Sequence, residues 1–373
     1  MIDRNQLLDF LRGGADMAAL PFASPDTPRV SGAIKTEPED FMVDEIPAYP
    51  FSGEGDHLML NVRKRDIAGG DMIRIIARAA GIREEEIGTA GTKDRRAVTT
   101  QWISLPARAV EERGLFRPDD PDWPGVPGIS VIQQTRHTNK LKPGHLRGNR
   151  FRIAIRGADT SCIDELKSAA ATVSASGFPN LFGSQRFGRN EESLVMGLGV
   201  LGIDPSAPGG RHGRRIGNFE RRMSVSAVQS ALFNLWVKAR FADGLSRTVL
   251  AGDVLAKTVT GGMFTCEDPD TDQARLEAGE IQITGPMFGT KLMSAQGIAG
   301  TREKAIQDAA GLDARAWGAA GKLAEGTRRE IVVVPEAMSV DVVDDRIVFD
   351  FALPKGSYAS VLMREFVNDT RGI

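Results

Sequence analysis

The stretch "GTAGTKDRRAVTTQWISL", residues 88–105, sets one carboxylate, Asp94, between Lys93 and the pair Arg95 and Arg96, in a turn with glycines at 88 and 91. Neighbouring cations hold a carboxylate ionised at neutral pH, as a nucleophile must be, and glycines let a substrate approach the backbone closely. The same pattern also describes an ordinary turn aspartate paired with Arg95 or Arg96. The charges alone fit both. Other chemistries find less support. A phosphate loop needs glycine before its lysine and a hydroxyl residue after it, whereas Thr92 and Asp94 flank Lys93. No G-x-G-x-x-G falls at a strand-to-helix junction, which removes the usual support for a dinucleotide. His57, His137, His145 and His212 are scattered, and neither H-x-E nor P-C-x-x-C occurs, so a zinc deaminase is ruled out. The histidines read as polar surface or partner-facing groups, not as ligands.

The elements that must position Asp94 follow from periodicity. "SGAIKTEPEDFMVDEI" is extended and broken at Pro38, and "HLMLNVRKR" alternates Leu58, Leu60 and Val62 on one face, as in a half-buried sheet. Asp71 can cap a helix that buries Ile73, Ile76, Ala77 and Ala80 and stops at Gly81. Val98–Leu105 is rich in β-branched and aromatic residues, so Asp94 sits on the loop feeding a strand. After the proline-rich connector "FRPDDPDWPGVPG", residues 136–156 carry seven Lys or Arg and no acid. Within them Phe151, Ile153 and Ile155 alternate with Arg150, Arg152 and Arg156, which predicts a strand with one buried side and one cationic row suited to phosphates. Residues 161–176 have helical period, "SAVQSALFNLWVKARFADG" predicts a core helix, and "DRIVFDFALPKGSYASVLMREFV" reads as strand, turn and helix. Boundaries fall at Gly177 and near Val333.

At 373 residues the chain is long enough for two cores. No run approaches the roughly 18 apolar residues of a membrane span, the start "MIDRNQLLDFLRGG" reads as a short helix and not as a signal peptide, and two cysteines, Cys162 and Cys266, are too few for a disulfide framework. A cytoplasmic protein without membrane contact is expected.

Eight ordered stretches, "KTEPEDFMVDEI", "GEGDHLMLNVRK", "AGTKDRRAVTTQW", "KLKPGHLRGNRFRI", "PNLFGSQRFG", "SALFNLWVKAR", "TGPMFG" and "LPKGSYASVLMRE", together resemble the TruD family of tRNA pseudouridine synthases. The resemblance implies an α+β fold: a pseudouridine-synthase core with a mixed, largely antiparallel sheet over residues 1–176 and 334–373, and an inserted α/β TRUD domain over 177–333. It implies an isomerase that converts uridine to pseudouridine, at position 13 of tRNA, with a flipped base and no cofactor or metal. The family's catalytic aspartate falls on Asp94. Its site-lining positions fall on Phe41, Asn149, Phe151 and Tyr358, with Lys35 and Lys93 positioning phosphate or polarising the site. The implied partners are tRNA and other RNA, and the chain is expected to act as a monomer. The alternative is a catalytically inactive RNA-binding or RNA-chaperone protein using the same basic surfaces.

Overall fold

A computed structural model describes residues 4–113 and 123–369, so the first part of the proline-rich connector lies outside the described residues. The chain separates into two compact units, Met1–Pro25 with Gly177–Val333 and Asp26–Ser176 with Val334–Ile373.

In chain order, helix α1 (Arg4–Ala15) belongs to the first of these units. Strands β1 (Ala33–Ile34), β2 (Phe41–Pro47) and β3 (His57–Arg65), helix α2 (Gly69–Ala80) and strands β4 (Gly88–Thr89) and β5 (Val98–Pro106) open the other. Helix α3 (Ala107–Arg113), strands β6 (Ile129–His137) and β7 (Leu146–Arg156) and helix α4 (Ile163–Ser176) continue it. The chain then forms β8 (Phe178–Pro179), α5 (Glu192–Val200), α6 (Asn218–Ala242), β9 (Val254–Lys257), β10 (Met263–Thr265), α7 (Pro269–Glu277), β11 (Ile281–Met287), α8 (Gly297–Ala310), α9 (Ala314–Ala320), β12 (Thr327–Glu330) and β13 (Val332–Val333). It returns to complete the second unit with β14 (Glu336–Val343), β15 (Arg346–Pro354) and α10 (Ala359–Met363).

The second unit holds a nine-stranded sheet, with the path β14-β15-β7-β2-β5-β3-β6 and β1 and β4 paired at its sides. Every pair is antiparallel except β2 with β5, whose register sets Met42, Val43 and Asp44 beside Val98, Thr99 and Thr100. That single parallel joint brings the starts of β2 and β5 to the same end of the sheet. Alternation behaves as a half-buried sheet requires: Phe151, Ile153 and Ile155 are buried while Arg150 and Arg152 are exposed. Helix α2 packs Met72, Ile76, Ala77 and Ala80 with Leu58, Leu60, Val62 and Ile103 into one apolar cluster. Gly81 ends it in the left-handed conformation (φ 66°), the usual glycine stop. Its N-cap is Ala68 and not Asp71, which instead pairs with Arg74 one turn on, at 2.9 Å.

In the other unit a four-stranded antiparallel sheet, β10-β9-β11-β12, accompanies the helices. Helix α6 is buried over most of its circumference: Val228, Leu232 and Trp236 are in the core as its pattern predicts, and so are Gln229, Ser230, Asn234 and Arg240. Ala239, three residues after Trp236, is exposed. The Asn234 amide donates to the Gly14 and Phe182 carbonyls and accepts from the Phe182 amide, which ties α1 and the 178–188 segment to α6. The sequence reading groups residues 1–25 with the synthase core; these hydrogen bonds explain why α1 clusters with Gly177–Val333 here.

Candidate active site

Residues paired directly across a sheet share a face. The register therefore puts Phe41, Val43 and Glu45 of β2, Asn149, Phe151 and Ile153 of β7, Phe351 of β15, Thr99 and Gln101 of β5 and Lys64 of β3 on one side. Over this face runs the loop 90–97. It is held at three points: Gly144 N donates to the Ala90 carbonyl at 2.8 Å, Asp66 N to the Ala97 carbonyl at 3.1 Å, and the Lys64 ammonium to the Asp94 carbonyl. The two glycines of the loop's approach serve different ends. A Cβ on Gly88 would lie 2.3 Å from Ser104 Oγ and 2.5 Å from the Leu141 carbonyl oxygen, so it is a packing glycine, whereas Gly91 has open space beside it.

Asp94 is 55 % exposed, and its Oδ2 accepts from Lys35 Nζ at 3.1 Å. The arginines next to it in sequence are not what holds it: Arg95 leans on Asp66 at 3.9 Å, and the long-range lysine makes the pair. Lys35 has φ 56°, a costly backbone region for a residue with a Cβ, and its ammonium stands 3.9 Å from the centroid of the Phe41 ring. Such a contact adds a favourable cation–π interaction. Phe41 in turn meets Phe151 edge-on at 6.2 Å, and Phe151 stacks on Phe351 at 5.4 Å. Both Phe41 and Phe151 are buried, so their rings form the apolar floor of the face.

Lys93 points the other way from Asp94 and is buried. Its ammonium bridges Glu45 Oε2 at 2.9 Å and Asn149 Oδ1 at 2.7 Å, and Glu45 Oε1 accepts from Trp102 N at 3.2 Å. With Oδ1 occupied, Asn149 keeps its NH2 group to donate. Tyr358 is partly buried at the residue before α10, beyond the end of β15, where its carbonyl accepts from Val361 and Leu362. Arg156, expected in a phosphate-facing row, lies against the completely buried Asp40, its Nε 2.9 Å from both carboxylate oxygens; Asp40 also accepts from Glu37 N, fixing the turn Pro38–Asp40 immediately ahead of Phe41.

Glu45 and Lys64 are the site residues that sequence reasoning missed. The signal for Glu45 was an acid in phase with Phe41 and Val43, the buried positions of β2. Lys64 is wholly buried, and desolvation, only partly opposed by Asp94 and Asp66, lowers its pKa to about 8. Beside it Thr99 Oγ1 and Gln101 Oε1 are buried without hydrogen-bond partners. The face thus brings a partly exposed carboxylate together with an apolar ring floor and buried polar atoms that have no partner among the described residues.

The chain matches the family model "tRNA pseudouridine synthase D (TruD)" over residues 22–205 and 217–366. A tRNA pseudouridine synthase D of Anaeromyxobacter sp. (strain Fw109-5) is 44 % identical over 351 residues, covering 94 % of this chain and 97 % of that one. One from a strain of Thermus thermophilus is 37 % identical over 346 residues, covering 92 % and 91 %. A Methanosarcina mazei crystal structure, provisionally described as TruD, has the same fold, with a TM-score of 0.74 at 23 % identity over 94 % of this chain and 96 % of that one.

Proposed function

We propose that this chain, which belongs to the TruD family of tRNA pseudouridine synthases, isomerises uridine 13 of tRNA with Asp94 as its catalytic residue and the target base flipped out of the RNA. The family assignment makes it an RNA-modifying isomerase; the position, the residue and the flip are this proposal's own. The observation that carries it is the placement of Asp94: an open carboxylate, paired to Lys35 and held through its carbonyl by Lys64, above the face of the sheet that collects Phe41, Asn149 and Phe151.

In the reaction the bond from the ribose to uracil nitrogen breaks, the base turns, and a bond to uracil carbon forms; that carbon loses its proton and the freed nitrogen takes one up, so the product is an isomer and nothing is oxidised or reduced. Asp94 supplies negative charge, as nucleophile or electrostatic stabiliser, to the side of the sugar that becomes electron-poor. The Asn149 NH2 donates to a uracil carbonyl, and the buried Phe41–Phe151–Phe351 floor keeps water out from beneath the flipped base. Lys93 positions Asn149 directly, and Glu45 in turn holds Lys93. Tyr358 lines the same site in this reading. Other RNA substrates, a monomeric state and a cytoplasmic location belong to it as well; no described helix is long and apolar enough to cross a membrane.

The test is to map pseudouridine in tRNA from cells with and without the protein, and to assay Asp94→Asn. Loss of the modification with tRNA affinity retained is expected. Undiminished turnover by Asp94→Asn overturns the assignment, and an unmodified tRNA pool with the parent protein present favours the inactive RNA-binding alternative.

A further inference from the structure

The basic tract 136–156 is largely neutralised where it forms strands. Arg136 pairs with Glu111, Arg147 with Glu336, Arg152 with Asp350 and Arg156 with Asp40. Arg150 lies opposite Asp44 in the register of β7 and β2. Among the described residues no carboxylate pairs with Lys140 or Lys142, in the loop between β6 and β7; the Lys140 ammonium is fixed only to the Glu85 carbonyl, at 2.6 Å. Both lysines line a cavity of about 770 Å³.

The rest of that lining is aromatic and able to hydrogen-bond. His57 at the start of β3, His137 at the end of β6, His145 before β7 and Tyr49 after β2 converge there, so three of the chain's four histidines meet in one place. The Tyr49 hydroxyl and His145 Nδ1 are 2.8 Å apart, and the Tyr49 and His137 rings lie 5.3 Å apart with a 32° tilt. His57 Nδ1 is buried and unpartnered. Desolvation lowers the His57 pKa; Asp56 opposes this, and Lys140 and His137 each add to it by less than Asp56 opposes. No group of three His, Cys, Asp or Glu side chains among the described residues is arranged to hold a metal ion. Stacking rings, two cations free of acids and an unused ring nitrogen match a ligand that is flat, polar at its edge and anionic, as a nucleotide is.

We propose that this cavity is a second RNA-contact site, which takes one unpaired nucleotide of the substrate RNA other than the uridine to be isomerised, with its base on Tyr49 and His137 and its phosphate on Lys140 and Lys142. The inference rests on the RNA-modifying reading above. Its lining does not include Asp94: His57 and Lys64, whose ammonium holds the Asp94 carbonyl, stand near opposite ends of β3, on the order of 20 Å apart at about 3.3 Å per residue, and the two places meet where Gly144 N donates to the Ala90 carbonyl.

The experiment measures the affinity for a tRNA transcript, its salt dependence, and the single-turnover rate at saturating enzyme. The proteins are the parent, Lys140→Ala/Lys142→Ala, Tyr49→Leu, and Lys167→Ala, an exposed lysine of α4, as charge control. Pseudouridine formation by the parent is scored first, so failure of the underlying reading is seen before any cavity variant is compared. The double variant and Tyr49→Leu are expected to bind about tenfold more weakly, with melting temperatures and saturated rates close to the parent's. The double variant should also lower the slope of log affinity against log salt by about 1 to 2; Lys167→Ala should change neither quantity. Parental affinity and salt slope in both cavity variants overturn the proposal. Uridine 5′-monophosphate as competitor separates the two sources of a nucleotide. Displacement of tRNA from the parent and not from the double variant supports a substrate nucleotide. Binding of the free nucleotide that the double variant loses while its tRNA affinity is unchanged assigns the cavity to a free ligand and overturns the proposal.

Discussion

In the unit containing Gly177–Val333, Arg240 donates to both oxygens of the buried Asp253 at 2.7 and 2.6 Å, and to the Leu245 and Thr248 carbonyls at 2.9 and 2.7 Å. Arg328 is equally saturated: it reaches Glu303 at 2.6 Å, both oxygens of Thr284, and the Met293 carbonyl. Beneath the Asp94 loop the buried Lys93–Glu45 pair is matched in the same way, but the groups beside it are not. Among the described residues Lys64 finds only a main-chain carbonyl and Thr99 and Gln101 keep unpartnered oxygens, and the carboxylate at the top of the loop is open to solvent. Buried ions whose donors and acceptors are all matched hold elements together, and removing one partner strands the other. Polar groups buried without a full set of partners cost stability and persist where a ligand completes them. The first arrangement builds a fold, and the second builds a site.

Substitutions on each side can break that distinction. Asp94→Asn has the largest expected effect, a fall in turnover of about 10³-fold or more, with unchanged melting and tRNA affinity; a variant that unfolds instead would make the loop structural. Next comes Arg240→Ala, which leaves the Asp253 charge buried and should cost about 3 to 5 kcal/mol in denaturant unfolding, with the turnover of the folded fraction preserved. Lys64→Met sharpens the comparison through pH. Because the folded-state pKa of Lys64 is lowered to about 8, the lysine is charged in both states below pH 8, and its burial penalty is fully present there. Between pH 8 and about 10.5 the folded protein sheds that proton and the unfolded chain does not, so stability rises with pH. The stability of the parent relative to Lys64→Met should therefore improve over that window, and melting curves with a pH-independent gap would contradict the burial. The smallest effect is expected at Thr99→Val, which removes an unpartnered buried hydroxyl at similar volume. Unfolding should show unchanged or slightly raised stability, by up to about 1 kcal/mol, and a clear loss would mean that the hydroxyl is partnered.

What was legible in the sequence was local. Phe151, Ile153 and Ile155 announce β7 because alternation needs no knowledge of neighbours, and Gly81 announces the end of α2 for the same reason. The partner of Asp94 was not legible from spacing: Arg95 and Arg96 are adjacent in sequence, yet Lys35 makes the ion pair from 59 residues away. Glu45 and Lys64 become site residues only once the register of β2, β5 and β3 is known. The ion pairs along the cationic row were not legible for the same reason, since the acids that meet Arg152 and Arg156 come from β15 and from the turn before β2. Long-range pairing decides which charges remain available, and one-dimensional patterns carry little of it.

The position of β15 in the chain has a consequence in time. Arg152 and Asp350 are opposite each other in the finished sheet but 198 residues apart in sequence. During synthesis β7 therefore emerges long before the strand that covers its edge, and Phe151 waits for Phe351 while residues 177–333 are made. An uncovered edge beside an apolar face is the usual starting point for misassociation. The exposed Arg150 and Arg152 along that edge, unremarkable in the completed molecule, are charges of the kind that keep a waiting strand from pairing with the wrong chain.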